Sequence, residues 1–216
     1  MDQPSFLKYL AKQFISELTP ILDIKEVTSN TDLLGSYTEA AVRRLVRRSV
    51  EPMRVSRGAV LDFPIPDPLK QVDVIVWAPS PAPAIFDVEG FGLVPRSSVF
   101  GVLEVKKSNY AGIENGLEEL IDDANAHRNV CDDASGAQDQ QRCAGMGVVC
   151  VLEKDVSARL AKLLKDDQAV ALFERRADRT SPREADVLRL INFLHFVTWR
   201  HDSQRGKSNY PQVLTP

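Results

Sequence analysis

The sequence is poor in cysteine and has no long apolar run, and these two shortages exclude several classes of protein. Three cysteines among 216 residues are an odd count, which argues against a disulfide framework and predicts a reducing, cytoplasmic location. No apolar run approaches the roughly 20 residues of a membrane helix, and the first residues lack the basic and apolar regions of a signal peptide. We therefore expect no membrane partner.

The sequence also has no large excess of one charge. The net charge is −3, with 44% hydrophobic and 26% charged residues, which is typical of one globular domain with a single core. We predict one domain over 1–216, with a helical extension over 1–34, a core over 35–152 and C-terminal helices over 153–216. Walker loops, nucleophile elbows and dinucleotide-binding glycine patterns are missing, so these enzyme classes lack support.

Apolar periodicity predicts an α/β fold. A period near 3.6 predicts helices, and short β-branched runs predict strands. Strands followed by a crossover helix and a return strand favour a mixed central sheet flanked by helices, with an extra N-terminal helix. Ser181, as an N-cap before Pro182, starts the last helix. The other helices are predicted over 5–18, from 35 or 36 to about 50, 109–128 and 157–166; strands over 55–63, 71–77, near 85–86, 98–106, 147–152 and near 170–173.

Ionisable residues interrupt the two most apolar strands. Asp73 lies within one, and Glu104 and Lys106 lie two apart near the end of the other. Charged side chains are seldom placed in buried strands without a partner or a purpose. Two carboxylates on paired strands suit Mg²⁺ or Mn²⁺, which can activate a water for attack on a phosphodiester. Lys106 would orient that water or stabilise the developing charge.

This layout resembles the PD-(D/E)xK superfamily of nucleases, which have the restriction-endonuclease-like fold. The segments at 35–39, 57–62, 71–73 and 98–106 resemble one bacterial domain-of-unknown-function branch of it. The resemblance implies a metal held by Asp73, Glu104 and the carbonyl of Val105, with Lys106 as a catalytic residue. Glu39 is where many members carry a further acidic residue, although its spacing from Arg43 also fits a surface ion pair.

An arginine-rich segment surrounds this pattern. Residues 43–57 contain six arginines and one glutamate, and a basic helix near an acidic site predicts contact with nucleic-acid phosphates. Arg43, Arg47 and Arg57 are the candidates, and DNA is the expected substrate. The same arginines also fit a solvated helix face.

Two other interpretations of the acidic residues stay open. The first is a non-catalytic binding module on the same fold, with a structural acidic cluster and protein partners on the 79–97 insertion or the N-terminal helix; a homodimer is equally open. The second is an enzyme for another phosphate ester. Zinc is disfavoured, because the spacing of His127, Cys131 and Cys143 fits no standard finger.

Overall fold

The computed structural model describes residues 3–18, 20, 26–61, 69–80, 82–106, 115, 145–151, 169–176, 179–181 and 184–204. These residues form three α-helices and one sheet of eight strands. The helices are α1 (Gln3–Leu18), α2 (Thr31–Ser49) and α3 (Glu184–Gln204). The strands are β1 (Arg54–Leu61), β2 (Val72–Trp77), β3 (Phe86–Val88), β4 (Phe91–Pro95), β5 (Val99–Lys106), β6 (Gly145–Val151), β7 (Ala169–Arg176) and β8 (Arg179–Ser181).

The sheet is mixed, and its order is β3-β4-β1-β2-β5-β6-β7-β8. In the five central strands, β2 is antiparallel to both β1 and β5, whereas β5, β6 and β7 are parallel. The hairpin β3–β4 extends one edge and β8 the other. The predicted α/β class with a mixed, helix-flanked sheet is confirmed.

Helices α2 and α3 pack on one face of the sheet, α1 packs against both of these helices, and most of the core lies on this side. Strand alternation turns Val74, Val76, Leu103 and Val105 toward these helices. A smaller apolar cluster on the opposite face contains Ile75, Trp77, Val94 and Val99. The helices contribute, among others, Ala11 and Phe14 from α1, Val42, Leu45 and Val46 from α2, and Leu190, Leu194 and Val197 from α3. None of the described helices is long and apolar enough to cross a membrane.

Helix α2 begins earlier than its apolar stripe predicts. The side chain of Asn30 accepts hydrogen bonds from the main-chain N–H groups of Asp32 and Leu33, at 3.0 and 3.1 Å. This cap satisfies donors that would otherwise lack a helical partner, so the helix starts at Thr31 and not after Gly35. The prediction that residues 27–32 form a connector is wrong at its end.

The bend predicted at Gly58 is a bulge between β1 and its neighbours. The pairing register of β1 with β2 shifts between Ser56 and Gly58, and Gly58 has a φ of 141°. A Cβ atom there would lie 1.9 Å from the carbonyl oxygen of Gly92, so only glycine fits. Gly92 belongs to β4, which is parallel to β1 and was not predicted because glycine and proline interrupt its apolar pattern.

The final helix is confirmed. Ser181 ends strand β8, and the described part of α3 begins at Glu184; residues 182 and 183 lie outside the described residues, so Ser181 as N-cap stays a prediction. The helices predicted over 109–128 and 157–166 lie outside the described residues, apart from residue 115. Asp62, His127, Cys131 and Cys143 also lie outside them, and the subdivision of 1–216 stays a prediction.

Candidate functional site

The two acidic strand residues lie opposite each other on neighbouring strands. The antiparallel register pairs Val74 with Leu103 and Ile75 with Val102, and one further step in this register places Asp73 across from Glu104. Directly opposite residues have their Cβ atoms about 5 Å apart and share one face of the sheet. The carboxylates of Asp73 and Glu104 therefore start from adjacent points, on the face opposite the three helices.

The carboxylate of Asp73 is anchored to the partner strand. Its Oδ2 accepts a hydrogen bond of 2.9 Å from the main-chain N–H of Val105, and Asp73 is only 8% exposed. The side chain of Val105 points the other way, into the core under the helices. The N–H of one residue in the Glu104-Val105-Lys106 run therefore orients the carboxylate of Asp73.

The main chain of Asp73 is held from a third element. Nη1 of Arg43, on α2, donates a hydrogen bond of 2.9 Å to the carbonyl oxygen of Asp73. The same nitrogen lies 3.3 Å from Oε2 of Glu39, one helical turn earlier. Glu39 thus forms the predicted i,i+4 pair, but this pair lies beside the acidic strands.

The donors at this site suit a hard divalent cation. Among the residues that the structure describes, no group of three or more His, Cys, Asp or Glu side chains is placed to hold a metal. Mg²⁺ does not need such a cage, because it is commonly bound through one or two carboxylates and keeps several waters. Asp73, Glu104 and the carbonyl of Val105 fit that requirement as a set of oxygen donors. Glu104 is partly buried.

Lys106 is the last residue of β5, two positions after Glu104. Its main chain pairs with Cys150 of β6 in parallel register. The structure thus places Lys106 at the same end of the strand as Glu104. Its catalytic role stays a prediction.

The predicted phosphate-binding arginines have different surroundings. Arg43 is 13% exposed and bonded at the acidic site. Arg47 is exposed and donates a hydrogen bond of 3.2 Å to the carbonyl of Val55. Arg57 is exposed, and its main-chain N–H bonds to the carbonyl of Gly90. The contacts described for these three arginines are with different partners and do not join the arginines to one another.

A small cavity lies away from the acidic strands, between the three helices. Its volume is about 140 Å³, and Phe14, Arg48 and His195 are among the residues that line it. Arg48 pairs with Glu17, and partial burial lowers the pKa of His195. None of the residues predicted for the site lines this cavity.

Neither a protein-family model nor a curated protein matches the chain. Solved structures do: NucC from P. aeruginosa ATCC27853, in its cAAA-bound form, aligns with a TM-score of 0.59 and 16% identity. The alignment covers 91% of this chain and 92% of that chain. NucC from E. coli MS115-1, also cAAA-bound, aligns with a TM-score of 0.52 and 15% identity, over 91% of both chains. At these identities the likeness shows only that the fold is shared. The shared fold extends over nearly the whole chain.

Sequence reasoning missed the bond between Arg43 and the carbonyl of Asp73. The one available signal was the i,i+4 spacing of Glu39 and Arg43, which indicated a pair but not its location. The main-chain bond joins residues 30 positions apart. It depends on how α2 lies on the sheet, which no local pattern reports.

Proposed function

We propose that this protein is a divalent-metal-dependent nuclease that hydrolyses phosphodiester bonds in DNA. One observation carries the proposal: Asp73 and Glu104 lie next to Val74 and Leu103, the last paired residues of two adjacent antiparallel strands, and the N–H of Val105 orients the Asp73 carboxylate. A neutral apolar pair would stabilise these strands at lower cost, because a buried carboxylate loses its hydration. The presence of two acidic residues at the same edge of two neighbouring strands therefore favours a chemical role.

Asp73, Glu104 and the carbonyl of Val105 are the residues that would hold Mg²⁺ or Mn²⁺. When bound, the ion would polarise the phosphate and lower the pKa of a water. The protein's own part is to place both carboxylates next to each other on the sheet and to orient them. The hydrogen bond from the N–H of Val105 fixes the direction of the Asp73 carboxylate.

The remaining roles belong to basic residues and to Glu39. Lys106 would orient the attacking water or stabilise negative charge on the phosphate. Glu39 would support the site through its pair with Arg43. Arg47 and Arg57, both exposed, would contact phosphates of the substrate, which is a sequence-independent, salt-dependent interaction.

The fold and the residue pattern are two separate supports. The chain shares the fold of the two NucC structures over nearly its whole length, and its residue pattern resembles the PD-(D/E)xK superfamily of nucleases. Nuclease-type cleavage is therefore the coarse function that agrees with both the fold and the acidic strand pair. The domain-of-unknown-function branch, the cytoplasmic location and a homodimer remain predictions.

A non-catalytic binding module is the second candidate. The observation in its favour is the low exposure of Asp73, at 8%, together with the hydrogen bond that its carboxylate accepts from the N–H of Val105. An aspartate that only ties two strand ends together would look the same. The two candidates differ in whether a divalent cation binds and whether DNA is cut.

The test is cleavage of supercoiled plasmid, linear duplex, single-stranded DNA and RNA in Mn²⁺. Each substrate is incubated with and without cAAA, since the NucC structures hold that ligand. The variants are Asp73→Asn, Lys106→Ala and the control Asp87→Asn. Asp87 lies on β3 and pairs with Arg54, so the control makes the same chemical change far from the acidic strands. Melting temperature is recorded with and without Mn²⁺ for every variant.

We expect the wild type and Asp87→Asn to cleave DNA and to be stabilised by Mn²⁺. Asp73→Asn and Lys106→Ala should lose cleavage, and Asp73→Asn should also lose the stabilisation, because a ligand that binds only the folded protein raises its stability. Retained cleavage in Asp73→Asn would overturn the site. No cleavage and no Mn²⁺ effect in the wild type would favour the binding module.

A further inference from the structure

We propose that Arg43 is a positioning residue that holds Asp73 and Glu39 in place, and that it is not one of the phosphate contacts of the arginine-rich helix. This inference rests on the proposed nuclease function. The sequence predicted that Arg43 contacts nucleic-acid phosphates, because six arginines lie within residues 43–57. The inference replaces that role.

The first support is the geometry of the guanidinium. Nη1 of Arg43 donates to the carbonyl oxygen of Asp73 at 2.9 Å and lies 3.3 Å from Oε2 of Glu39. One nitrogen thus links a helix carboxylate to the main chain of β2. The guanidinium is planar and always charged, so it bridges two oxygens with a fixed geometry.

The second support is burial. The side chain of Arg43 is 13% exposed and that of its partner Glu39 is 22% exposed, whereas Arg44 on the same helix is exposed. A phosphate contact must reach into solvent, where the nucleic-acid backbone approaches. Arg43 instead lies against the sheet, where its charge is screened less than that of an exposed arginine.

Two of the bonds that hold Asp73 come from different elements. Arg43 holds its carbonyl from α2, and the N–H of Val105 holds its carboxylate from β5. With both bonds in place, the carboxylate is kept in one orientation relative to Glu104. Loss of the Arg43 bond removes the restraint that α2 places on the main chain of Asp73, and a displacement of about 1 Å at reacting groups can reduce a rate about a hundredfold.

The experiment compares Arg43→Ala, Arg43→Lys and the control Arg44→Ala. The two alanine variants remove the same side chain from adjacent helix positions, but only one of those side chains contacts Asp73. Lysine keeps the charge and one donor, so it should restore part of what alanine removes. Unfolding without metal is measured first, and Arg43→Lys also serves if Arg43→Ala does not fold.

Three quantities separate positioning from phosphate binding. They are kcat with KM for DNA cleavage, the Mn²⁺ concentration that gives half-maximal stabilisation, and DNA affinity without metal as a function of salt. A positioning residue should change the first two. A phosphate contact should change DNA affinity and lower the slope of log affinity against log salt by about one.

For Arg43→Ala we expect kcat to fall about 10- to 100-fold and the half-maximal Mn²⁺ concentration to rise, with the salt slope unchanged. Arg43→Lys should recover part of kcat, and Arg44→Ala should match the wild type in kcat and in the Mn²⁺ effect.

The inference is overturned if Arg43→Ala keeps the wild-type kcat and Mn²⁺ response, or if its only defect is weaker DNA binding with a smaller salt slope. Both results need an active wild type, so they leave the proposed function standing. A wild type that neither cleaves DNA nor responds to Mn²⁺ overturns the proposed function, and this inference with it.

Discussion

Both ends of strand β2 bury polar groups among apolar side chains, but the polar groups at the two ends differ in charge and in what they contribute. At the first end, Asp73 is opposite Glu104, and Arg43 binds its carbonyl. At the other end, Nε1 of Trp77 donates to Oγ of Ser56 at 3.1 Å, and the Arg54 guanidinium lies 5.3 Å from the centre of the Trp77 ring. Both ends have an arginine, but only the first has carboxylates inside the sheet.

The difference lies in the cost of burial. Trp77 is 1% exposed, and its one polar atom is satisfied by a neutral hydroxyl, so this end contributes apolar burial at little electrostatic cost. A carboxylate as buried as Asp73 needs compensating hydrogen bonds to remain charged. We infer that the Trp77 end stabilises the fold. The Asp73 end lowers the free energy of unfolding, and we attribute this cost to the catalytic role proposed for its carboxylates.

The largest expected effect is at the Trp77 end. Trp77→Ala should lower the free energy of unfolding by about 3–5 kcal/mol, because it removes a large, fully buried side chain. Cleavage per folded molecule should be unchanged. Denaturant unfolding and cleavage at low temperature measure both quantities. Trp77→Phe is the control, since it keeps an aromatic, though smaller, ring and loses the bond to Ser56. Loss of cleavage in fully folded Trp77→Phe would contradict the comparison.

A smaller effect in free energy, but a larger one on activity, is expected at the other end. Glu104→Gln should reduce kcat at least about a hundredfold, which corresponds to about 2.7 kcal/mol in activation free energy. Its free energy of unfolding without metal should change by no more than about 1–2 kcal/mol, because the amide has the same size as the carboxylate and keeps one acceptor oxygen. Single-turnover cleavage and thermal unfolding test this. A strongly destabilised variant that still cleaves DNA would mark Glu104 as structural.

The smallest effect is expected for the second arginine. Arg54→Ala should cost no more than about 1 kcal/mol, because Arg54 is 57% exposed, its ion pair with Asp87 is open to solvent, and a cation over an aromatic ring contributes about 0.5–1 kcal/mol at an exposed site. Cleavage and the Mn²⁺ response should stay at wild-type level, in contrast to Arg43→Ala. If Arg54→Ala reduces kcat as much as Arg43→Ala does, the contrast between the two arginines fails.

Local patterns were sufficient for the elements that carry the site. The β-branched run at 72–77 and the apolar run at 99–106 predicted β2 and β5 within a residue or two, because buried strands need such residues on both faces. The same patterns showed where Asp73 and Glu104 interrupt them. The start of α2 was misplaced because Asn30 acts through a hydrogen bond that hydropathy does not report.

The sequence by itself determined the fold class, the two acidic strands and the interruption of each strand by a carboxylate. Periodicity and β-propensity act between neighbours along the chain, so they can be recognised without the fold. Only the tertiary structure decided that Asp73 is opposite Glu104, that Val105 orients its carboxylate and that Arg43 holds its carbonyl. These contacts join residues about 30 positions apart. They arise from strand register and from how α2 packs on the sheet, which local sequence does not specify.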